Sequence, residues 1–147
     1  MTYRTQTNHA VVIGGSLGGM GAARALSRHF TKVTVIDRDE LPVDEARPRR
    51  GVPQSMQVHG VQIRGRAELE RNFPGFMQSL LDQGAVDFDL SGDVARFTPW
   101  GWAPRFESGV PMMMCTRPLL ETTVRRLFRQ QSDNVEWLEG TRVTGLT

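Results

Sequence analysis

The 147-residue sequence is poor in cysteine and lysine, and it contains no long hydrophobic run. Its only cysteine is Cys115, which excludes a framework of intrachain disulfides and is typical of proteins from a reducing compartment. No segment approaches the roughly 20 consecutive apolar residues of a membrane-spanning helix. The sequence therefore predicts a cytoplasmic protein without a membrane span.

The charged side chains show no strong excess of either sign, with 18 basic and 16 acidic residues and a net charge of +2. Arg64, Arg66 and Arg71 are interleaved with Glu68 and Glu70, a pattern typical of a solvated helix face. A nucleic-acid-binding surface requires basic residues clustered in a patch or stripe. The charge pattern therefore predicts no nucleic-acid partner.

Several motifs of well-known catalytic and metal sites are absent. The sequence contains no H-E-x-x-H, C-x-x-C or Walker A pattern. The run of methionines before Cys115 offers soft metal ligands, but a continuous apolar run is more typical of a buried strand. We therefore predict no metal site, and the sequence identifies no catalytic acid, base or nucleophile.

The N-terminal region has the hydrophobic pattern of a strand–helix–strand unit. Residues 10–13 are apolar and largely β-branched, as in a buried parallel strand. Apolar side chains recur at three- and four-residue spacing over 18–30, which predicts a helix, and residues 32–37 predict a second strand. Such a βαβ unit has a right-handed crossover. The predicted fold class is α/β, with a Rossmann-like unit at the N-terminus.

A glycine-rich turn joins the first strand to the helix. It matches the dinucleotide fingerprint G-x-G-x-x-G at the first and third glycines, whereas a serine replaces the second and offers a hydroxyl to a phosphate oxygen. The first glycine permits the tight turn, and the third allows close helix–strand packing. The helix N-terminus attracts the anion. The predicted pyrophosphate-binding residues are Gly14, Gly15, Ser16, Leu17, Gly18 and Gly19.

An acidic residue follows the second strand at the position of a ribose contact. Asp37 lies beyond Gly14 at the spacing of roughly 20 residues that the fingerprint requires. A carboxylate there accepts hydrogen bonds from the adenosine ribose and disfavours the 2′-phosphate of NADP. These motifs do not separate NAD from FAD. The alternative is a βαβ unit whose glycines serve only packing, with an aspartate that caps a turn.

The rest of the chain alternates between helical and strand patterns. Residues 41–53 contain three prolines and predict an extended connection. Helices are predicted over 56–73, over 76–84 and after the N-cap Thr116, and strands over 86–90, 94–98, 110–115, 135–138 and 142–146. We expect segment 94–98 to pair with segment 86–90. Trp100 and Trp102 are expected to pack on the face of that sheet.

Three segments resemble those of one flavoprotein family. Residues 49–54 (R-R-G-V-P-Q), followed by His59, are similar to its R-x-G-V-P-Q…H stretch. Residues 72–76 and 83–85 are similar to its F-P-G…G-A helix pair, and residues 116–121 to its S-R-P-L-L-E helix start. The chain thus resembles the group A, p-hydroxybenzoate-hydroxylase-like FAD-dependent monooxygenases, especially the polyketide hydroxylase and polyether epoxidase branch. Members of the family are much longer, so the resemblance covers their N-terminal portion.

The resemblance implies a domain organisation and a set of FAD contacts. Residues 1–147 would form the N-terminal part of an FAD-binding domain, and strands within 86–114 would begin an inserted β-rich substrate domain. The glycine turn would hold the FAD pyrophosphate. The further contacts implied are ribose on Asp37, the adenine end near Arg38, the flavin near Arg49, the phosphate or ribityl region near Arg117, and adenine beside the backbone of Val143.

The implied activity is that of an FAD-dependent monooxygenase, either a hydroxylase or an epoxidase. Such an enzyme uses NAD(P)H as co-substrate and O₂ on an aromatic or polyketide-like small molecule, and the cofactor carries the oxidising chemistry. One alternative is a flavin-dependent reductase or halogenase with the same N-terminal half. Another is a truncated, non-catalytic nucleotide-binding fragment. Because an incomplete parallel sheet exposes an apolar edge and face, we expect this chain alone to bind FAD weakly and to aggregate.

Overall fold

The computed structural model describes residues 8–145, which form eight strands, four helices and a 3-10 helix at Pro53–Met56. The strands are β1 (His9–Ile13), β2 (Lys32–Ile36), β3 (Val58–Val61), β4 (Val86–Asp89), β5 (Phe97–Thr98), β6 (Gly101–Trp102), β7 (Pro111–Thr116) and β8 (Val135–Leu138). The helices are α1 (Leu17–Leu26), α2 (Ile63–Asn72), α3 (Phe76–Leu81) and α4 (Arg117–Gln130). None of these helices is long and apolar enough to span a membrane.

The first sheet is parallel and has the strand order β1-β2-β8. Strands β1 and β2 pair in the register Ala10↔Val33 and Val12↔Val35, and α1 connects them. On the other side of β2, Val35 pairs with Trp137 of β8. This arrangement confirms the α/β class with a parallel sheet.

Helices α1 and α4 cover one face of the parallel sheet. Val33 and Val35 of β2 point into that layer and are fully buried, because alternate side chains of a strand share one face. The opposite face is uncovered within residues 8–145, where Val11 and Ile13 of β1 are 54% and 57% exposed. The chain therefore leaves a patch of apolar sheet open to solvent.

Aromatic contacts join the helices to the sheet. Phe128 of α4 packs edge-to-face against Phe73, just after α2, and against Trp137 of β8, with both ring-centroid distances at 5.7 Å. Phe73 and Phe128 are fully buried. Phe128 therefore packs between the end of α2 and strand β8. Edge-to-face ring contacts of this kind add stability beyond that of the buried apolar area.

The second sheet corrects two of the sequence predictions. Its order is β3-β7-β4, with antiparallel pairing throughout. Residues 58–61 form strand β3, so the helix predicted over 56–73 is wrong before Ile63. The partner of β4 is β7, not segment 94–98. Pairing with β7 overrides the apolar spacing at Val58 and Val61, which fits a helix when read alone. His59 accordingly lies on a strand.

Strands β5 and β6 form a separate two-stranded hairpin. Phe97 and Trp102 contact each other edge-to-face at 5.1 Å, but Trp100 is 93% exposed and Trp102 is 70% exposed. The expectation that both tryptophans pack on a sheet is therefore wrong for this chain. Gly101, at the start of β6, adopts φ +106°.

Other local predictions agree with the structure. Thr116 caps α4, since its Oγ1 accepts a hydrogen bond from the Leu119 N–H at 3.3 Å. Glu68 forms ion pairs with Arg64 and Arg71 on the solvated face of α2.

The strand predicted over 142–146 is wrong for the part of it that the structure describes. Residues 142–145 form no strand, and residue 146 lies outside the described range.

Candidate functional site

The turn between β1 and α1 depends on two glycines. Gly14 adopts φ +102°, a conformation that disfavours side chains, and its N–H donates to the Ile36 carbonyl at 2.7 Å. A Cβ on Gly19 would lie 1.7 Å from the Gly14 carbonyl oxygen. No side chain fits there without moving backbone. The turn is therefore pressed against the first turn of the helix.

Ser16 is the N-cap residue of α1, yet its side chain does not cap the helix. Its Oγ instead donates to Oε1 of Glu121 at 2.7 Å and accepts from Nη2 of Arg117 at 3.1 Å. The first turn of a helix has N–H groups without intrahelical partners. Because the Ser16 side chain makes no capping bond, these donors lack that partner. The Ser16 hydroxyl hydrogen, by contrast, is already bound within the protein.

Asp37 directly follows β2 and is bound to the glycine turn. The Gly15 N–H donates to its Oδ2 at 2.6 Å, and the Asp39 N–H donates to its Oδ1 at 2.9 Å. A carboxylate has about four lone-pair sites. Asp37 therefore retains acceptor capacity on both oxygens for ligand hydroxyl groups.

A cleft of about 340 Å³ opens beside the turn at the carboxyl ends of β1 and β2. Most of the predicted site residues line it: Gly14, Ser16, Asp37, Arg38, Arg49 and Val143. Ligands of open α/β sheets bind at this end of the strands. Four other predicted residues belong to the turn and the start of α1: Gly15, Leu17, Gly18 and Gly19. The Leu17 side chain packs against the core.

Arg117 lies behind the turn rather than in the cleft. Its Nε donates to Oε1 of Glu121 at 2.9 Å. Arg49 connects the cleft to the region behind the turn. It lines the cleft, and its Nη2 donates a hydrogen bond to Oε2 of Glu121 at 2.8 Å. Arg49 further pairs with Asp39 at 3.2 Å and lies 3.6 Å from Asp37. The structure thus connects the turn, the end of β2 and α4 through one ionic network.

The network is buried, which shifts its protonation equilibria. Burial alone would raise the pKa of Glu121, but hydrogen bonds from Arg49, Ser16 and Arg117 outweigh it and hold that pKa below its ordinary value. Burial, together with the nearby charge of Arg49, lowers the pKa of Arg125 to about 10. Both groups therefore carry their charges at neutral pH.

Arg125 is the most deeply buried charge in this network, at 1% exposure. Its Nη1 donates to the Pro42 carbonyl at 2.6 Å, and its Nη2 lies 3.5 Å from Oε2 of Glu121 without hydrogen-bond geometry. A buried charge is tolerated when it is paired and hydrogen-bonded. Arg125 thereby fastens the connection after β2 to α4.

Sequence reasoning missed three residues of this region: Glu121, Asp39 and Arg142. Asp39 holds Arg49 and accepts the Gly51 N–H at 2.7 Å, and Arg142 lines the cleft. One signal for Glu121 was available. It stands four residues from both Arg117 and Arg125 on the helix face that carries buried Leu120 and Val124.

Comparisons with solved structures define the class of protein to which this fold corresponds. The oxygenase of 2-methyl-3-hydroxypyridine-5-carboxylic acid matches with a TM-score of 0.67 and 19% identity, over 96% of this chain and 33% of that one. PqsL of Pseudomonas aeruginosa, a probable FAD-dependent monooxygenase, matches with a TM-score of 0.62 and 18% identity, over 95% of this chain and 35% of that one. The chain therefore has the fold of the N-terminal portion of FAD-dependent monooxygenases, which confirms the resemblance in the sequence motifs.

A curated relative is similar at the level of sequence. Protein Rv3254 of Mycobacterium tuberculosis (strain H37Rv) is 44% identical over 134 residues, covering 86% of this chain. The chain spans 27% of the length of that protein. No family model matches the sequence.

Proposed function

We propose that this chain binds FAD through its adenosine diphosphate half, as the N-terminal part of a Rossmann-like FAD-binding domain. The observation that carries the proposal is the cleft bounded by the glycine turn on one side and the Asp37 carboxylate on the other. The fold similarity to FAD-dependent monooxygenases supports FAD over NAD.

The described residues fit such a ligand. The uncapped first turn of α1 offers N–H donors and a partial positive charge to the diphosphate. The contact between Gly14 and Gly19 keeps the turn free of side chains where the diphosphate would approach. Asp37 would accept the ribose hydroxyls, Arg38 would lie near the adenine end, and Arg49 would place its positive charge close to the cofactor beside the flavin. The backbone of Val143 would border the adenine.

The proposed activity of the whole protein is an FAD-dependent monooxygenase reaction on a small aromatic or polyketide-like molecule, with NAD(P)H as co-substrate. FAD, when bound, would supply the redox chemistry. The residues of this chain would bind and orient the cofactor rather than transfer protons. This division of labour is consistent with a site made of glycine backbone, one ribose-facing carboxylate and arginines.

Isothermal titration of the 147-residue chain with ADP, FAD and FMN tests the cofactor proposal. We expect ADP and FAD to bind competitively and FMN, which lacks the adenosine half, not to bind. Asp37→Ala should weaken ADP binding about tenfold or more, because the lost hydrogen bonds involve a charged acceptor.

Asp133→Ala is the matched control, since this exposed aspartate precedes β8 at the opposite end of the sheet. It should leave ADP binding unchanged. Wild-type chain that is folded by circular dichroism and binds neither ADP nor FAD would refute the proposal. Equal losses for the two aspartate variants would refute the role of Asp37.

A further inference from the structure

We infer that Glu121 is a positioning residue that makes the glycine turn selective for a diphosphate-bearing ligand over a bare nucleoside. The inference rests on the proposed function and adds a residue that acts through its neighbours. Glu121 lies on α4, more than 100 residues after the turn, and its side chain is 4% exposed.

The Glu121 carboxylate contacts only protein groups in the structure. Oε1 accepts hydrogen bonds from Ser16 at 2.7 Å and from Arg117 at 2.9 Å. Oε2 accepts one from Arg49 at 2.8 Å and faces Arg125 at 3.5 Å. Three hydrogen bonds and the ion pair with Arg125 therefore surround a carboxylate that has roughly four lone-pair sites. Because the Glu121 side chain is 4% exposed and its charge would repel a phosphate, it acts by holding its partners.

Its first effect concerns Ser16. A serine at an N-cap position ordinarily accepts a hydrogen bond from an N–H of the first helical turn. Here the Ser16 hydroxyl points to Glu121 and Arg117, and it makes no capping bond. By drawing this hydroxyl away, Glu121 keeps the first-turn N–H groups of α1 available. Those groups are the donors that a diphosphate needs and that adenosine alone does not reach.

Its second effect concerns Arg49, which stands at the edge of the cleft. The Arg49 guanidinium is held from one side by Glu121 and from the other by Asp39. Its side chain is only 6% exposed, so few alternative positions are open to it. Pre-positioning of a charged donor reduces the ordering cost when an anion binds. Glu121 thus orients both the neutral and the cationic donors of the site.

A comparison of ADP with adenosine separates positioning from general stability. The affinities of both ligands are measured by NMR titration for wild type, Glu121→Ala and the control Glu70→Ala. Glu70 is a structural carboxylate that accepts the N–H groups of Gly75 and Met77 between α2 and α3. We expect Glu121→Ala to weaken ADP binding about tenfold or more and adenosine binding less than about twofold. Glu70→Ala should preserve the ratio of the two affinities.

Rescue at Ser16 tests the route of the effect. Without Glu121, the Ser16 hydroxyl is free to cap α1 and to compete with the diphosphate. We therefore expect the double variant Glu121→Ala/Ser16→Ala to bind ADP more tightly than Glu121→Ala. If Glu121→Ala fails to fold, Glu121→Asp replaces it, because aspartate keeps the charge but is one methylene too short to hold Ser16 and Arg49 together.

The outcomes are distinguishable. An unchanged ratio of ADP to adenosine affinity in the folded Glu121 variant overturns the inference, even if both affinities fall. A double variant that binds ADP no more tightly than Glu121→Ala overturns the route through Ser16. Wild-type chain that binds no ADP overturns the proposed function itself.

Discussion

Gly19 shows how a single missing side chain shapes the site. Its Cα faces the Gly14 carbonyl so closely that any Cβ would overlap a backbone oxygen. The fingerprint predicts this role for the third glycine, and the structure supplies the atom that it must avoid. The turn, and the donors that it presents, therefore depend on glycine at this position.

Gly19→Ala should destabilise the chain by about 3 kcal/mol or more, because the clash is with backbone and cannot be relieved by a rotamer change. Gly21→Ala is the matched control in the same helix, where a Cβ would meet nothing within 4 Å. It should stabilise the chain by up to about 1 kcal/mol, since alanine favours a helix interior. Urea denaturation followed by circular dichroism measures both changes. Equal effects of the two substitutions would contradict the contact assigned to Gly19.

Ser16 illustrates how far local motif reasoning extends at the residue scale. Its position in the fingerprint is readable from the sequence, and its hydroxyl is a natural candidate for a phosphate contact. The structure directs that hydroxyl to Glu121 instead. The two residues are 105 positions apart, so no local pattern could reveal the pairing.

Helix α4 is the element whose sequence signals and structure agree most closely. It begins after Thr116, carries Pro118 in its first turn and buries Leu120, Val124 and Phe128 on one face. These features follow from capping, from the fixed φ of proline and from the helical period. The helix can therefore be placed from sequence, and it delivers Glu121 to the turn.

Thr116→Ala should lower the stability of the chain by about 1 kcal/mol, because the Leu119 N–H loses its side-chain acceptor. Thr116→Ser keeps the hydroxyl and should lower the free energy of unfolding by at most a few tenths of a kcal/mol. Thermal unfolding monitored at 222 nm provides the comparison. A serine variant as unstable as the alanine variant would show that the cap is not the source of the effect.

Strand β3 is the element for which sequence reasoning failed. Val58 and Val61 are three residues apart, which suits a helix, and they continue the helical pattern of α2. In the structure Val58 pairs with Thr116 and Val61 with Met113, both distant in sequence. Strand formation depends on the neighbour strand more than on intrinsic preference. The helix prediction failed because the sequence pattern of residues 56–73 contains no information about β7.

The whole molecule leaves one face of its parallel sheet without cover in residues 8–145. Val11, Ile13 and Leu138 are 54%, 57% and 40% exposed on that face. Contiguous exposed apolar side chains of this kind are association sites. This exposure accords with the expectation that the chain aggregates when it is studied alone.

The double substitution Val11→Thr/Ile13→Thr should weaken self-association about tenfold, because it removes apolar area while keeping β-branched side chains. Sedimentation velocity over a range of concentrations measures the change. Met56→Gln is the control, as Met56 is 81% exposed on the short 3-10 helix and outside the sheet face. If Met56→Gln reduces association equally, the sheet face is not the contact.

Short-range sequence patterns predict the βαβ unit, the glycine turn, the acidic residue after β2 and the cap of α4. These features are encoded by neighbours a few residues apart, through strand and helix periodicity and the steric needs of glycine. The pairing of β3 with β7, the burial of Arg125 and the contacts of Glu121 with Ser16 and Arg49 arise only in the folded chain. Those contacts join residues that are far apart in the chain. They stabilise the protein only after folding has removed the charged groups and the strand edges from water.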